Sequence, residues 1–463
     1  MKPRELHELG IPEHLVPLAR QTLRSAATQG VKKRALPDFV RSIVEDPEAY
    51  IDDPWAGPLA RALRDYRPAP EEVGDREGPA PWRQWGRDLD ENSIQQMRNA
   101  CALPVAVRGA LMPDAHVGYG LPIGGVLATR DAVVPYAVGV DIACRVKLSV
   151  LDLPPSFLES RAALLRDVLI RETEFGVGAQ FRRRREHAVM DRDWSVSPVT
   201  SRNRDKAWAQ LGTSGSGNHF VEFGVFSVDD GALGIPAGAY LALLSHSGSR
   251  GTGASVCQEY SRRAMDRRRN LPPELKHLAW LDLKSADGRE YWAAMNLMGE
   301  YAAANHACIH RHIREALGAE ALLDIENHHN FAWKEKHGGE ELIVHRKGAT
   351  PAGAGVLGII PGTMATTAYI VRGLGEPDSM HSAAHGAGRL MSRKQAKRTM
   401  RWAEARAFLA ERGVSLISAG LDEVPGVYKD IDAVMRAQRD LVEPVARFQP
   451  RLVRMVQGGP AED

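Results

Sequence analysis

Apolar residues recur at intervals of three and four in the first 80 residues. The segments LVPLARQTLRSAA and LARALRDY show this spacing, which is typical of amphipathic helices. The segment that follows them, RPAPEEVGDREGPAPW, has the proline, glycine and charge content of a linker. The sequence therefore predicts a small helical N-terminal extension with a linker over residues 1–80, and a separate catalytic region over residues 81–463.

The pattern changes after this linker. Glycine-rich turns interrupt short β-branched runs such as GGVLAT, VKLSVLDL and HFVEFGVFSV, and helical spacing returns near residues 157–173, 286–317 and 393–412. This alternation predicts a single α/β (mixed α+β) body with its functional residues on loops. Two arginine-rich runs, FRRRREH (181–187) and SRRAMDRRRN (261–270), could contact a polyanion, but solvated helix faces explain them better.

The composition excludes several classes of protein. Hydrophobic residues make up 44% and charged residues 25%, and the net charge is only +2, which fits an ordinary globular protein. The cysteines at positions 101, 144, 257 and 308 are too scattered for a disulfide framework. The N-terminus lacks the apolar core of a signal peptide, and glycine and proline interrupt the longest uncharged stretch, 349–371, so it cannot be a membrane helix. We expect a cytoplasmic protein that does not associate with membranes.

Histidines and a cysteine repeatedly lie in tight loops of Gly, Asn and Ser. These loops are PDAHVGYG, GVDIAC, LGTSGSGNHFVEF, LSHSGSRG, ENHHNF and HGAGR. A single histidine of this kind is usually structural, but six such loops indicate a binding site, because glycine lets the backbone approach a ligand closely. Their candidate residues are Asp114, His116, Asp141, Cys144, His219, His246, His328, His329 and His385.

The candidate side chains have the chemistry of a metal site. Asp141 and Cys144 are three residues apart, so a turn can direct both toward one centre. A thiolate, a carboxylate and several imidazoles suit Mn²⁺, Co²⁺, Fe²⁺ or Zn²⁺ better than Mg²⁺ or Ca²⁺, and they suffice for two ions that share the sulfur and act in phosphoryl transfer. A single structural zinc is less favoured, because no paired C-x-x-C knuckle is present. His306 and His310 are four apart on a predicted helix and are interpreted as structural.

The longest glycine-rich segment, RKGATPAGAGVLGIIPGTMATTAYIVRG (346–373), resembles a phosphate cradle built from backbone N–H groups. It is not a Walker loop, since no GK[ST] follows its glycines. The HGAGR motif comes shortly after it. In this motif His385 is accessible as a nucleophile, and Arg389 and Arg393 are close enough in sequence to contact phosphate.

The order of the motifs PDAHVGYGLPIGGV, AVGVDIAC, GTSGSGNHFVEF, SHSGSRG, HHN, RKGA, GIIPGTM and HGAGRLMSR resembles that of the RtcB family of RNA-splicing and RNA-repair ligases. The resemblance extends from about Arg87 to the C-terminus. Members of this family join an RNA 3′-phosphate or 2′,3′-cyclic phosphate end to a 5′-hydroxyl end. The resemblance implies this activity, an RtcB-type catalytic body, GTP and two Mn²⁺ ions as cofactors, and RNA as the partner, and it leaves open an activating protein partner.

The resemblance also implies roles for individual residues. One Mn²⁺ would be held by Asp141, Cys144 and His219, and the second by Cys144, His246 and His329. His385 would carry covalent GMP, and Arg250, Arg389 and Arg393 would face RNA phosphates. The nucleotide would contact Asn218, His219, Phe220, Val221, Glu222, His329, Asn330, Pro361, Gly362, Thr363, Met364, Ala368, His385, Gly386, Ala387, Gly388 and Gln457.

The sequence departs from the family pattern in four places. Arg145 replaces a glycine beside Cys144, Ala368 replaces a serine, Gln457 aligns with a lysine, and residues 1–80 have no counterpart in shorter members. These departures concern nucleotide binding and substrate range. Two alternatives remain: a metal-dependent phosphatase or cyclic phosphodiesterase, and an RNA-end-binding protein with degenerate catalysis. The intact HGAGR motif argues against the first and the five filled metal positions argue against the second.

Overall fold

A computed structural model describes residues 1–66, 73–74, 76–229 and 231–458. The chain divides into two compact units, Met1–Pro70 and Glu71–Asp463. Part of the predicted linker, residues 67–72 and 75, lies outside the described residues. Among the described helices, none is both long and apolar enough to cross a membrane.

The N-terminal unit is helical. Its α-helices are α1 (Pro3–Glu8), α2 (Val16–Thr28), α3 (Leu36–Glu45) and α4 (Gly57–Asp65), with short 3-10 turns at Glu13–Leu15, Lys33–Ala35 and Pro47–Tyr50. A proline occupies the first or second position of each α-helix, where no backbone N–H is needed for an intrahelical bond. The buried core includes Leu6, Leu23, Ile43 and Leu59. The two segments with helical spacing in the sequence correspond to α2 and α4.

The larger unit combines helices with several sheets, so the predicted mixed α/β class is confirmed. Its helices are α5 (Glu91–Cys101), α6 (Pro135–Val138), α7 (Phe157–Ser160), α8 (Ala162–Glu172), α9 (Pro198–Gln210), α10 (Arg250–Arg267), α11 (Ala286–Leu317), α12 (Arg393–Thr399), α13 (Trp402–Glu411) and α14 (Ile431–Ala437). The helix predicted at 286–317 is α11. The other two predicted helices are each divided, because Arg161 leaves the helical conformation and Met400 and Arg401 are extended.

The strands of the larger unit are β1 (Trp82–Gln84), β2 (Ala106–His116), β3 (Ile123–Thr129), β4 (Ala132–Val133), β5 (Arg145–Leu151), β6 (Phe220–Val228), β7 (Gly238–Ser247), β8 (Leu281–Asp282), β9 (Ala321–His328), β10 (Asn330–His337), β11 (Glu340–Lys347), β12 (Ala349–Pro351), β13 (Leu357–Ile360), β14 (Ala368–Gly373), β15 (Ser382–Ala384), β16 (Ser415–Ser418) and β17 (Val442–Met455). The largest sheet has the order β13-β14-β17-β6-β7-β5-β9, with β16 beside β17. A second sheet has the order β1-β2-β3-β11-β10, and β12-β15 and β4-β8 form separate pairs.

Antiparallel pairing in the largest sheet brings distant candidate residues to one edge. The start of β5 pairs with the end of β7 and with the end of β9, and the start of β6 pairs with the end of β7. Cys144 therefore precedes β5 next to His246 near the end of β7, His219 precedes β6, and His329 follows β9. The topology explains how residues separated by up to 185 positions in sequence converge.

Two predictions about local structure were wrong. The glycine-rich segment 346–373, which its glycines predicted to be a loop that cradles phosphate, is not one loop, since nearly half of it forms the strands β12, β13 and β14. Its β-branched residues, such as Ile359, Ile360, Ile370 and Val371, lie in these strands between the glycine turns. The FRRRREH run is irregular and not helical, because Arg185 turns inward, lies 3.8 Å from the Phe181 ring and donates to the Gly212 carbonyl.

Candidate active site

Two triads of side chains that could hold a metal ion share the Cys144 sulfur. The first comprises Asp141, Cys144 and His219, and the second comprises Cys144, His246 and His329. Cys144 Sγ lies 3.4 Å from His219 Nε2 and 3.1 Å from His246 Nε2, and the Nε2 atoms of His246 and His329 are 3.2 Å apart. All five residues are buried. The structure thus brings the five predicted ligands together in two adjoining groups, each of which could hold a metal ion.

The donor atoms have the chemistry that a divalent cation requires. Asp141 Oδ2 lies 3.2 Å from His219 Nε2, yet it accepts no hydrogen bond from any described residue. Burial opposes its ionisation, but the His219 imidazole and the Arg250 guanidinium outweigh burial and hold the pKa of Asp141 below its ordinary value. Burial also lowers the pKa of His246 and of His329 well below the ordinary value. A carboxylate and neutral imidazoles are the protonation states that bind metal.

Hydrogen bonds and glycines fix the orientation of these ligands. His246 Nδ1 lies 3.2 Å from the Asn218 carbonyl oxygen, to which it can donate, and this leaves Nε2 for a metal. The Ser249 N–H donates to Asp141 Oδ1 over 2.9 Å. A Cβ atom at Gly248 would overlap the Asp141 carboxylate, and one at Gly215 would overlap the His219 ring. Gly248 of SHSGSRG and Gly215 of GTSGSG are therefore required by the side chains packed against them.

His385 is held by a buried carboxylate next to the metal-ligating residues. Its Nδ1 lies 2.7 Å from Asp114 Oδ2, and Asp114 has no exposed surface. The same oxygen accepts from the backbone N–H groups of His385 and Gly386. With the Nδ1 proton donated to this carboxylate, the lone pair on Nε2 is available as a nucleophile. The His385 ring centroid is 4.8 Å from that of His329.

A cavity of about 530 Å³, called the central cavity below, contains both triads and His385. Every residue predicted to contact the nucleotide lines it, except Val221 and Gln457. Glu222 is one of the lining residues, and burial raises its pKa well above the ordinary value. A buried neutral carboxylic acid can donate a hydrogen bond to a polar ligand.

The structure places several candidate residues outside the central cavity. Val221 is buried in the core on the opposite face of β6. Gln457 is exposed and lines a third cavity with Trp402. Arg250 is buried and donates to Thr213 Oγ1 and to the Gly176 carbonyl. His328 packs against Trp333, with ring centroids 4.9 Å apart. The contacts expected from the resemblance for Val221, Gln457 and Arg250 stay predictions.

Arg389 and Arg393 line the central cavity and interact with buried acids. Arg389 pairs with Glu423 at 3.4 Å and donates to the Asp422 carbonyl. Arg393 pairs with both Asp422 and Glu423. These two acids are almost completely buried, so they fix the arginines at the rim of the central cavity. The sequence offered no spacing that would connect them with HGAGR.

Sequence reasoning also missed two basic groups. Lys347 is buried at the wall of the central cavity, where burial lowers its pKa to about 8, and its Nζ donates to the Tyr119 carbonyl over 2.5 Å. Lys429 donates to the carbonyls of Pro113 and Ala115, on either side of Asp114. Lys347 belongs to the RKGA motif, which could have indicated it; Lys429 stands in no such motif.

His306 and His310 have structural roles, as predicted. Both are buried on α11 and lie within hydrogen-bond distance of the Ser245 hydroxyl. Burial lowers the pKa of His306 to about 3. These contacts attach α11 to β7 behind the metal-ligating residues.

Comparison with known proteins places this arrangement in a family. Residues 96–197 and 180–456 match the family model described as tRNA-splicing ligase RtcB. The chain is 33% identical to the RNA-splicing ligase RtcB of Escherichia coli (strain K12) over 82% of this chain and 98% of that protein. It is 34% identical to that of Mycobacterium tuberculosis over 77% and 98%, and 33% identical to the tRNA-splicing ligase RtcB of Nanoarchaeum equitans over 80% and 92%. The chain therefore belongs to the RtcB family.

Proposed function

We propose that this protein is a GTP- and Mn²⁺-dependent RNA ligase that joins a 3′-phosphate or 2′,3′-cyclic phosphate end to a 5′-hydroxyl end. One observation carries the proposal. His385 is oriented by Asp114 through a 2.7 Å contact, and it opens onto the same central cavity as the two triads. A two-metal hydrolase attacks phosphorus with a metal-activated water, whereas an enzyme that transfers a nucleotide through a covalent intermediate needs an oriented nucleophile such as His385.

In the first step, His385 Nε2 attacks the α-phosphorus of GTP. A P–N bond forms while the bond from phosphorus to the pyrophosphate oxygen breaks, and pyrophosphate leaves. The Nδ1 proton stays hydrogen-bonded to Asp114, whose carboxylate stabilises the positive charge that develops on the ring. Asp141, Cys144, His219, His246 and His329 would hold two Mn²⁺ ions, which neutralise charge on phosphate oxygens.

The following steps use the same histidine as a leaving group. An oxygen of the RNA 3′-phosphate attacks the phosphorus of the GMP carried by His385, and the P–N bond breaks. The 5′-hydroxyl then attacks the activated RNA phosphorus, loses its proton and expels GMP. A 2′,3′-cyclic phosphate must first be hydrolysed to a 3′-phosphate. Arg389 and Arg393, which line the central cavity, would contact phosphate groups.

End joining is tested with an RNA that carries a 3′-phosphate and a 5′-hydroxyl. We expect circular or joined product only when GTP and Mn²⁺ are both present, and none from the His385→Ala variant. Release of inorganic phosphate without joined product would support the phosphatase alternative. RNA binding without any change to the ends would support the RNA-end-binding alternative. Either result would contradict the proposal.

We also propose that residues 1–80 are an accessory element outside the catalytic region. The match to the family model begins at residue 96, and residues Met1–Pro70 have a core of their own. The protein is incubated with α-labelled GTP, and covalent attachment of the labelled GMP, called labelling by GTP below, is measured. Deletion of residues 1–75 should leave labelling by GTP intact while it changes the RNA substrates that are joined or the stability of the protein. Loss of labelling in a folded, monodisperse truncation would contradict this separation.

A further inference from the structure

The segment that follows HGAGRLMSR is strongly basic. Residues 393–412 contain seven Arg or Lys and two Glu, whereas the whole chain has a net charge of only +2. The segment comprises α12 and α13 and begins with Arg393, which lines the central cavity. A concentrated positive charge therefore extends directly from the proposed catalytic centre.

Several of these cations are exposed and available to a ligand. Lys394, Arg398, Arg401 and Arg406 are exposed, and none of them forms an ion pair with a carboxylate of the described residues. Within the described part of the chain, Arg401 donates only to the backbone carbonyls of Arg398 and Met400. Charges that no acid neutralises are the usual footprint of a nucleic-acid phosphate site.

The other helical arginine-rich run provides an internal contrast. In residues 261–270, Arg262 pairs with Glu259 and Asp266, and Arg263 pairs with Glu259, Asp287 and Glu290. Those arginines are neutralised within the protein. Arginine content alone therefore does not distinguish the two runs. In the basic segment Lys397 pairs with Asp422 at 3.6 Å, but Lys394, Arg398, Arg401 and Arg406 form no ion pair with a described acid, and this distinguishes the two runs.

A second cavity connects this basic segment with the central cavity. It encloses about 840 Å³ and is called the adjacent cavity below. Thr363, Thr366 and Tyr428 line both cavities, and Arg401 and Arg451 line the adjacent one. Its volume lies within the range of about 300–1,000 Å³ that is common for small-ligand sites.

Two of the acidic residues that line the adjacent cavity interact with residues other than Arg401. Asp432 accepts a hydrogen bond from the Tyr369 hydroxyl over 2.6 Å, and Asp430 pairs with Arg436 at 3.5 Å. Glu404 is exposed, one helical turn from Arg401. Arg451 donates to the Arg412 carbonyl over 2.7 Å, which holds its guanidinium at the cavity wall.

We propose that Arg398 and Arg401 bind phosphodiester groups of the RNA strand beside the reacting end, and that the adjacent cavity receives a nucleotide of that strand. This inference rests on the proposed RNA ligase function. Arg393 and Arg398 are five residues apart, or about 7.5 Å along a helix, and a strand in a duplex advances about 3.4 Å along the helix axis for each phosphate. The basic segment therefore has room for about two phosphates beyond the end held at Arg393.

The test is the salt dependence of RNA binding without GTP. The probe is a 12-nucleotide single-stranded RNA with a 3′-phosphate and a 5′-fluorescein, which blocks joining, and fluorescence anisotropy gives Kd at 50 and 200 mM KCl. The variant is the double substitution Arg398→Gln and Arg401→Gln. The matched control is Arg182→Gln with Arg183→Gln, which removes the same charge from two exposed arginines of the FRRRREH run.

We expect the double variant to lose part of the salt dependence. Each phosphate contact contributes about 0.7 to the slope of log affinity against log salt concentration for a single strand. Raising KCl from 50 to 200 mM should therefore weaken RNA binding by the double variant about sevenfold less than it weakens binding by the unmodified protein. The Arg182 and Arg183 control should bind like the unmodified protein, and a nucleoside 3′-monophosphate, which contains no phosphodiester, should bind all three proteins equally. An equal loss in both double variants would mean that the contacts are diffuse, and it would contradict the proposal.

A second readout separates this inference from the proposed function. Labelling of the protein by GTP requires no RNA, so the Arg398 and Arg401 variant should be labelled at the unmodified rate and with the same GTP dependence. If this variant needs more GTP, then the segment binds the nucleotide and the RNA assignment is wrong. If no protein is labelled at all, the proposed function fails, whereas the RNA-binding measurement still decides the inference on its own.

Discussion

The substitution Gly248→Ala tests whether the Asp141 carboxylate must occupy its observed position. Gly248 does not have a positive φ, so alanine is compatible with its backbone and only the available space matters. A Cβ atom there would overlap both Asp141 oxygens. The carboxylate cannot yield easily, since it is the end of a short, buried side chain that accepts from the Ser249 N–H over 2.9 Å.

The overlap requires the carboxylate to move by about 1 Å to regain van der Waals separation. A displacement of this size in a reacting arrangement can lower a rate by about 100-fold. Disturbing the groups that orient a metal ligand typically weakens metal binding by about 10- to 100-fold. Loss of the hydrogen bond from Ser249 would lower the free energy of unfolding by about 1–3 kcal/mol.

Gly251→Ala is the matched control, three residues further along the chain. A Cβ atom at Gly251 would lie 2.8 Å from Lys206 Nζ, and that exposed, flexible side chain can move away at little cost. Mn²⁺ affinity is measured by calorimetry, labelling with GTP by radioactivity, and unfolding by urea. We expect Gly248→Ala to lose Mn²⁺ affinity and labelling while Gly251→Ala retains both. Equal Mn²⁺ affinity in the two variants would refute the assignment of Asp141 as a metal ligand.

Three further predictions follow from buried groups. Asp114→Asn removes the carboxylate that orients His385 and should slow labelling by GTP at least about 100-fold; an unchanged rate would exclude this orienting role. Iodoacetamide should alkylate only Cys144 in the native, metal-free protein, because Cys144 lines the central cavity whereas the other three thiols are fully buried. Mn²⁺ should protect Cys144, and peptide mapping measures both results; alkylation of another thiol, or no protection, would contradict this prediction. Burial lowers the pKa of His345 to about 4, while its nitrogens accept from the Val134 N–H and donate to the Leu127 carbonyl. The unfolded chain therefore binds a proton at His345 more readily than the folded chain does, and the free energy of unfolding falls as pH drops below about 6.5. Urea titrations at pH 6.5 and at pH 5 measure this fall, which should be about 2 kcal/mol smaller in His345→Gln than in the unmodified protein.

Local pattern predicted much of the fold. The β-branched runs became β3, β5 and β6, and helical spacing identified α2, α4 and α11. The helices α2 and α4 each bury one periodic face, whereas β3 and β5 are buried along almost their whole length, as a continuous apolar run predicts. The breaks at Arg161 and at Met400 carried no proline or glycine, so nothing in the local sequence marked them. Arg145 illustrates the limit: it is buried, donates to the Gly299 carbonyl and pairs with Glu326 at 3.1 Å, and each of these partners comes from a distant element.

Glycine-flanked loops indicated the chemistry of the site, because the side chains of Asp141 and His219 leave no room for a Cβ atom at Gly248 and Gly215. The partner of His385 could not be predicted, since Asp114 is 271 residues away in the sequence. The same holds for Asp422 and Glu423 beside Arg389. Such pairs depend on how strands are arranged in space, which spacing along a single chain does not encode.

The central claim is that His385 carries the nucleotide, and mapping the adduct tests it most directly. The protein is incubated with α-labelled GTP and Mn²⁺, and the labelled peptide is isolated. If His385 carries the nucleotide, one phosphoramidate, stable in alkali and lost in acid, forms on His385. The His385→Ala variant should then carry no label, and labelling should be normal in the control His381→Ala, whose ring centroid lies 4.7 Å from that of His337. Label on any peptide outside residues 381–390, or an adduct that persists in His385→Ala, would contradict it.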